Sequence, residues 1–228
     1  MELMRKELFY KSSFFMRGAT ILCMKASGKN KSSAIKHSND LKRIQAYLKI
    51  NNYRAYILFC IGLATGYRGG DLVKLTIQDL KEAIEKESLD ILEQKTINTR
   101  KVSFKRKAPL GKKLINILKE FIAGREDSEY VYSSRKGSGE GKYKKHIRRD
   151  SLGKEFKKAA IKCGIKDIAV GTHTPRKTYG YIQYLEHDKD INYVQELLGH
   201  ASIKATKSYI GIDEDVLKES SMIIDKYL

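Results

Sequence analysis

Between Tyr53 and Ala64 the chain carries a single charge, at Arg54, and its most apolar part, Ala55 to Ala64, ends at Thr65-Gly66. A helix that is apolar on every side has to be buried. This stretch is about half of the roughly 20 residues needed to cross a bilayer. It therefore predicts a central core helix, and the rest of the chain has to supply the elements that cover it. With 228 residues, 41% of them hydrophobic, there is material for one domain with a short appendage.

The covering elements read as mostly helical. Leu41, Ile44 and Leu48 recur at helical spacing after Ser38, which can cap the start, and Asn51-Asn52 breaks the pattern. After the central helix a short one is expected over Asp71 to Lys74. Another follows over Ile77 to Ile84, opened by Thr76 and Asp79 in the pattern of a capping box. Ser88 to Glu93 and Lys101 to Lys105 alternate as two strands of a hairpin, ended by Pro109. Leu110 to Phe121 is helical up to Gly124, and Glu129 to Ser133 is a third short strand candidate. Helices are then expected over Leu152 to Cys163, Pro175 to Glu186, Ile191 to Leu198, Ile203 to Tyr209 and Asp213 to Tyr227. The fold class is mainly α with a small antiparallel β-sheet, and the lack of βα alternation argues against a doubly wound or barrel architecture. Three segments are expected: a basic arm or linker over 1–37, a main domain over 38–212 and a C-terminal helix over 213–228.

Charge narrows the function. Lys and Arg number 45 against 27 Asp and Glu, a net +18, and an excess of this size favours a polyanion, nucleic acid or anionic lipid, as partner. Cys23, Cys60 and Cys163 are far apart and form no CxxC pair, which speaks for an intracellular, reduced protein and against a zinc knuckle.

Four local patterns can carry chemistry. In Ala64-Thr65-Gly66-Tyr67-Arg68-Gly69-Gly70-Asp71-Leu72 the apolar helix delivers Arg68 at a glycine-flanked corner, where a guanidinium suits two-point contact with a phosphate, or simply pairs with Asp71. The hairpin bears Lys95, Arg100, Lys101, Lys105, Arg106 and Lys107 with no acid between positions 95 and 107, a strip that a bound polyanion would relieve. A second basic, glycine-rich run contributes Lys142, Lys144, Lys145, Arg148 and Arg149. In Thr172-His173-Thr174-Pro175-Arg176-Lys177-Thr178 the proline suits a helix start, bringing His173 and Arg176 close together where free backbone N–H groups welcome an anion. Finally, Leu197-Leu198-Gly199-His200 ends one helix on an exposed histidine, and Thr206-Lys207-Ser208-Tyr209 ends the next on a tyrosine that is either core or reactive.

In order and spacing these patterns resemble the tyrosine recombinase, or phage integrase, family. The resemblance covers about Ser38 to Ile212. It implies a DNA breaking and rejoining enzyme acting through a 3′-phosphotyrosyl intermediate. Tyr209 would be the nucleophile, Arg68 and Arg176 would brace the phosphate, and His173 would be the base. Lys95 would be the acid, His200 a phosphate ligand, and Asp71 a support for the arginine corner. It implies double-stranded DNA as partner, self-association as dimer or tetramer on DNA, and no cofactor or metal, because arginines take the electrostatic role. No membrane is involved, and the compartment would be the bacterial cytoplasm. Lys177, counted with the basic residues that would contact DNA, stands where many members have a second histidine, in a version that resembles a branch from mobile elements of low-GC Gram-positive bacteria. Gly69-Gly70 replaces bulkier residues, which predicts a more pliable corner. Members typically carry a separate helical clamp domain in front, whereas 37 residues precede Ser38 here. The chain would then bind with half a clamp, borrow the other half from a partner, or be a piece of a longer gene. The competing readings are a non-catalytic DNA-binding or regulatory relative and a type IB topoisomerase-like enzyme.

Overall fold

The computed structural model describes residues 32–92, 105–134 and 145–212. Among them the fold is mainly helical with one small antiparallel sheet. Helix α1 (Ser38–Asn51) and helix α2 (Tyr53–Thr65) meet at Asn52. This residue closes the first helix, and its side chain accepts from Ala55 N to open the second. The cap at the front of α1 is His37, without a side-chain bond, so Ser38 is the first helical residue rather than the cap. Helix α2 buries every residue from Ala55 to Gly62 and packs against α1 and against the later helices over Lys112–Ile122 and Thr174–Glu186. Its central place follows from its all-round apolarity. It ends at Gly66 in the left-handed region, φ +63.

The short α3 (Gly69–Leu72) begins two residues earlier than the sequence implies, because Arg68 takes its N-cap position. Helix α4 (Ile77–Glu85) starts at the expected capping box, with Thr76 and Asp79 bonded reciprocally. Strands β1 (Ser88–Leu92) and β2 (Lys105–Pro109) pair antiparallel from Ser88 opposite Pro109 to Leu92 opposite Lys105. The second strand thus extends past the expected Lys101 to Lys105, and positions 93–104 lie outside the described residues. Helix α5 (Lys112–Ile122) turns Leu114, Ile115, Leu118 and Phe121 inward.

The third strand expected at Glu129 to Ser133 is absent among the described residues. The segment makes isolated bridges, Thr76 to Tyr130 and Ser133 to His146. It crosses between two neighbours, bonding Ile77 and Leu75 on one side and Ile147 on the other, so no ladder builds up. Helices α6 (Arg149–Lys162), α7 (Thr174–Glu186), α8 (Ile191–Leu198) and α9 (Ile203–Ile210) complete the fold. The first begins at Arg149, three residues before the expected start. The helix expected over 213–228 lies outside the described residues.

The apolar interior has two parts. The main core centres on α2, with Phe59 meeting Phe156 edge-on at 5.1 Å. A satellite cluster of Val194, Leu198, Ile210 and Ile212 joins α7, α8 and α9. The site lies where these two parts meet. No helix among the described residues is long and apolar enough to cross a membrane.

Candidate active site

Four backbone devices bring the expected residues together. Gly66 turns the chain sharply enough for Arg68 to fall at the start of α3. An added Cβ at Gly66 would stand 2.3 Å from Tyr179, so this turn is pressed onto α7 and only glycine fits. Gly69 packs on Thr172, where a Cβ would lie 3.1 Å from its carbonyl oxygen. That glycine therefore joins the arginine corner to the loop leading into His173, and the expectation of a pliable corner gives way to one of close packing. Gly70 is helical, with nothing within 4 Å of an added Cβ, so no special backbone conformation requires it. Pro175 sits in the first turn of α7, with His173 as N-cap, as its fixed φ favours. Gly199, left-handed at φ +63, ends α8 and turns the chain to His200.

Arg176 is the keystone. It is 1% exposed, yet its guanidinium donates to Gly66 O at 2.7 Å and to Leu198 O at 2.6 Å. One side chain thus ties together the carbonyl ends of α2 and α8, and its charge acts on the Tyr209 phenol. Two neutral carbonyls do not cancel its charge. With Arg68 half-buried nearby, the site is strongly electropositive. Burial lowers both guanidinium pKa values. Arg176 pushes Arg68 down further, while the nearby Asp71 carboxylate, itself 8% exposed, offsets the fall at both arginines.

Tyr209 comes into this cluster from its own chain. Its hydroxyl is 3.5 Å from His173 Nδ1, its ring meets the His200 ring edge-on at 4.8 Å, and the Lys177 ammonium stands 4.8 Å from its centroid. Burial raises the phenol pKa above its ordinary 10, although Arg176 and Arg68 pull it down. The phenol is thus protonated at neutral pH. His173 is pushed below 6.5 by burial and then by Arg149, Arg176, Lys177 and Arg68, so it is a neutral acceptor beside that phenol. Burial, Arg176 and Arg68 push His200 down to about 4. Its Nδ1 is 3.1 Å from Thr206 Oγ1, which is also 3.1 Å from Ser202 O. Thr206 gives its one proton to Ser202 O, so it accepts from His200 Nδ1, and the neutral ring carries its hydrogen there.

The basic residues divide by position. Lys107, Lys145, Arg148 and Arg149 are exposed, and Arg149 Nη2 is 3.5 Å from Asp150. Lys177, expected to contact DNA from the surface, is 5% exposed and lies against Tyr209. Arg106, expected to do the same, is turned inward. It donates to Thr65 O at 3.0 Å and stacks 5.2 Å from the Tyr67 centroid. The strand Lys105 belongs to is described without its side chain, and Lys95, Arg100, Lys101, Lys142 and Lys144 lie outside the described residues.

Sequence reasoning missed the clasp around Tyr67. Its hydroxyl is 2.6 Å from both Leu89 O and Arg106 O, which fixes the β1–β2 pair against the arginine corner. An aromatic next to Arg68 was the available signal. Among the described residues no three His, Cys, Asp or Glu side chains are placed to hold a metal ion.

Comparison with known proteins gives a consistent result. The model of the phage integrase family matches residues 36–215. The chain is 32% identical over 184 residues to the probable integrase/recombinase YoeC of Bacillus subtilis, covering 81% of this chain and 92% of that one. The chain spans about half the length of the curated Xer recombinases it matches, 58% and 52% in two cases. The crystal structure of XerA recombinase superposes with a TM-score of 0.60 at 19% identity, over 86% of this chain and 66% of that chain. The lambda integrase(75–356) dimer bound to a COC′ core site gives 0.56 at 19%, over 81% and 61%.

Proposed function

The chain belongs to the phage integrase family of DNA breaking and rejoining enzymes, and from that premise we propose that it is a site-specific recombinase using Tyr209 as nucleophile. The phenol oxygen attacks the scissile phosphorus, its proton passes to His173 Nδ1, and the P–O5′ bond breaks. The products are a 3′-phosphotyrosyl link and a free 5′-hydroxyl, with Lys95 supplying the proton for the departing oxygen. Reversal by a second 5′-hydroxyl rejoins DNA, and because the bond energy is kept in the link no ATP is consumed. Arg68 and Arg176 receive the two non-bridging oxygens as their charge grows, and His200 is a further phosphate ligand. Asp71 keeps the arginine corner in place.

The observation that carries this reading is the Tyr209 hydroxyl lying beside a neutral His173 and under the charge of Arg176. A protonated phenol has to lose its proton to become a nucleophile, and the neighbouring imidazole can take it.

Double-stranded DNA is the partner. The exposed Lys107, Lys145, Arg148 and Arg149 track its phosphates together with Lys95, Arg100, Lys101, Lys105, Lys142 and Lys144. The protein acts in the cytoplasm and assembles as dimers or tetramers on its site. In this reading the basic arm ahead of position 38 ends in residues 32–37, which pack on the catalytic domain, 38–212 form that domain, and 213–228 form a helix that docks on a neighbouring copy.

Plasmid reactions test the function. Duplexes selected by the full chain from a random-sequence pool are cloned singly and in pairs into supercoiled plasmids. Recombinant products confined to plasmids with paired sites support the proposal. Relaxation of any plasmid points to a topoisomerase-like enzyme, and binding without either product points to a non-catalytic relative.

A further inference from the structure

The segment ahead of α1 is built into the domain. Ala34 and Ile35 are 4% and 3% exposed. Ser33 N donates to Ala169 O at 2.7 Å, and Ile35 N donates to the fully buried Thr178 Oγ1 at 2.9 Å. These two bonds hold the segment as a strap against α7 and the loop before it. The next residue reaches the other way. Lys36 Nζ donates to Gly211 O at 2.7 Å and lies 5.4 Å from the Tyr181 centroid. Gly211 ends α9 in the left-handed region, φ +76, two residues past Tyr209. Strap and nucleophile face one another across a cleft of about 820 Å³ lined by Ser33, Lys36, Lys177, Tyr181, Tyr209 and Gly211.

The tether matters because α9 is weakly held otherwise. Eight residues make a helix that is marginal by itself, and its apolar face joins the satellite cluster rather than the main core. Elements of that kind open most readily, so one charged hydrogen bond at the end shifts how often the helix is in place. We propose that Lys36 is a positioning residue for Tyr209: the strap holds the ammonium, the ammonium pins the end of α9, and the phenol stays beside His173. This rests on Tyr209 being the nucleophile. It also means that a load on the strap is felt at the nucleophile.

The test uses the full chain with Lys36→Met and Lys36→Arg. Three quantities are measured: single-turnover formation of the covalent adduct on a nicked duplex selected by the chain, affinity for the same duplex, and amide hydrogen exchange at Gly211 and Ile212. Lys36→Met is expected to slow adduct formation about tenfold, with affinity unchanged and exchange at both amides faster. Lys36→Arg, which keeps a donor, is expected to restore both rate and protection. An unchanged adduct rate in Lys36→Met, or a rate that falls in step with affinity, would overturn the proposal. Should the wild type form no adduct, the nucleophile assignment fails on its own, and unchanged exchange at Gly211 and Ile212 would still refute the tether.

Discussion

The phenol oxygen of Tyr209 lies 3.5 Å from Nδ1 of His173 within one chain, across 36 positions of sequence. The pairing sets the proposed nucleophile against a proton acceptor. The two are brought together by α7 and α9, and the Arg176 charge acts on the phenol from a side chain that bridges the ends of α2 and α8.

The pH dependence of cleavage follows from this pair. A base works while unprotonated, and the pKa of His173 is held below 6.5. Adduct formation should stay level as pH falls to 6.5 and drop only when pH passes through the lowered value. His173→Ala should slow adduct formation by about 10²-fold or more and replace that acid limb with a rate that climbs toward alkaline pH, as the phenol ionises unaided. Single-turnover rates across a pH series measure both effects.

Acid should also weaken the fold through His200. Its folded pKa is about 4, against an ordinary value of about 6.5 in the unfolded chain. Between these values the unfolded chain binds the proton and the folded one does not, so stability falls as pH drops through that window and is flat above it. His200→Gln removes this contribution. Thermal melts from pH 7 to pH 4 should show a shallower decline for the variant than for the wild type.

Two neighbouring glycines should respond oppositely to alanine. Gly66→Ala puts a Cβ at positive φ and into the Tyr179 ring, at a cost of about 2–4 kcal/mol. Gly70→Ala lies in a helix with open space around it and should be neutral, or stabilising by about 0.5–1 kcal/mol. Chemical denaturation of both variants checks the contrast.

Arg176→Lys should fail despite keeping the charge. A lysine cannot reach Gly66 O and Leu198 O together as the planar fork does. A buried carbonyl left unpaired costs about 1–3 kcal/mol. Loss of the oriented donor should slow adduct formation by about 10²-fold or more. Denaturation midpoints and adduct rates measure the two losses separately.

Much of this architecture was legible in local pattern. The run of apolar residues in α2 marks the core helix, Thr76 with Asp79 marks the start of α4, and Pro175 marks the start of α7. The residues of the candidate site stand in recognisable order along the chain. What stayed hidden depends on partners distant in sequence. The bridge made by Arg176 ends on backbone carbonyls, which leave no mark in side-chain pattern. Gly69 reads as a flexible point until Thr172 is seen against it. Arg106 and Lys177 look like surface cations until Thr65, Tyr67 and Tyr209 are placed beside them. Glu129 to Ser133 has the composition of a strand, but its neighbours on the two sides let it pair only at single residues.

The most direct measurement is of the covalent bond itself. The wild type is incubated with a nicked duplex selected by the chain, denatured and digested, and the DNA-linked peptide is identified by mass spectrometry. The account predicts a denaturant-resistant adduct linked at Tyr209 and absent from Tyr209→Phe. An adduct that persists in Tyr209→Phe, or that maps to another residue, would contradict it.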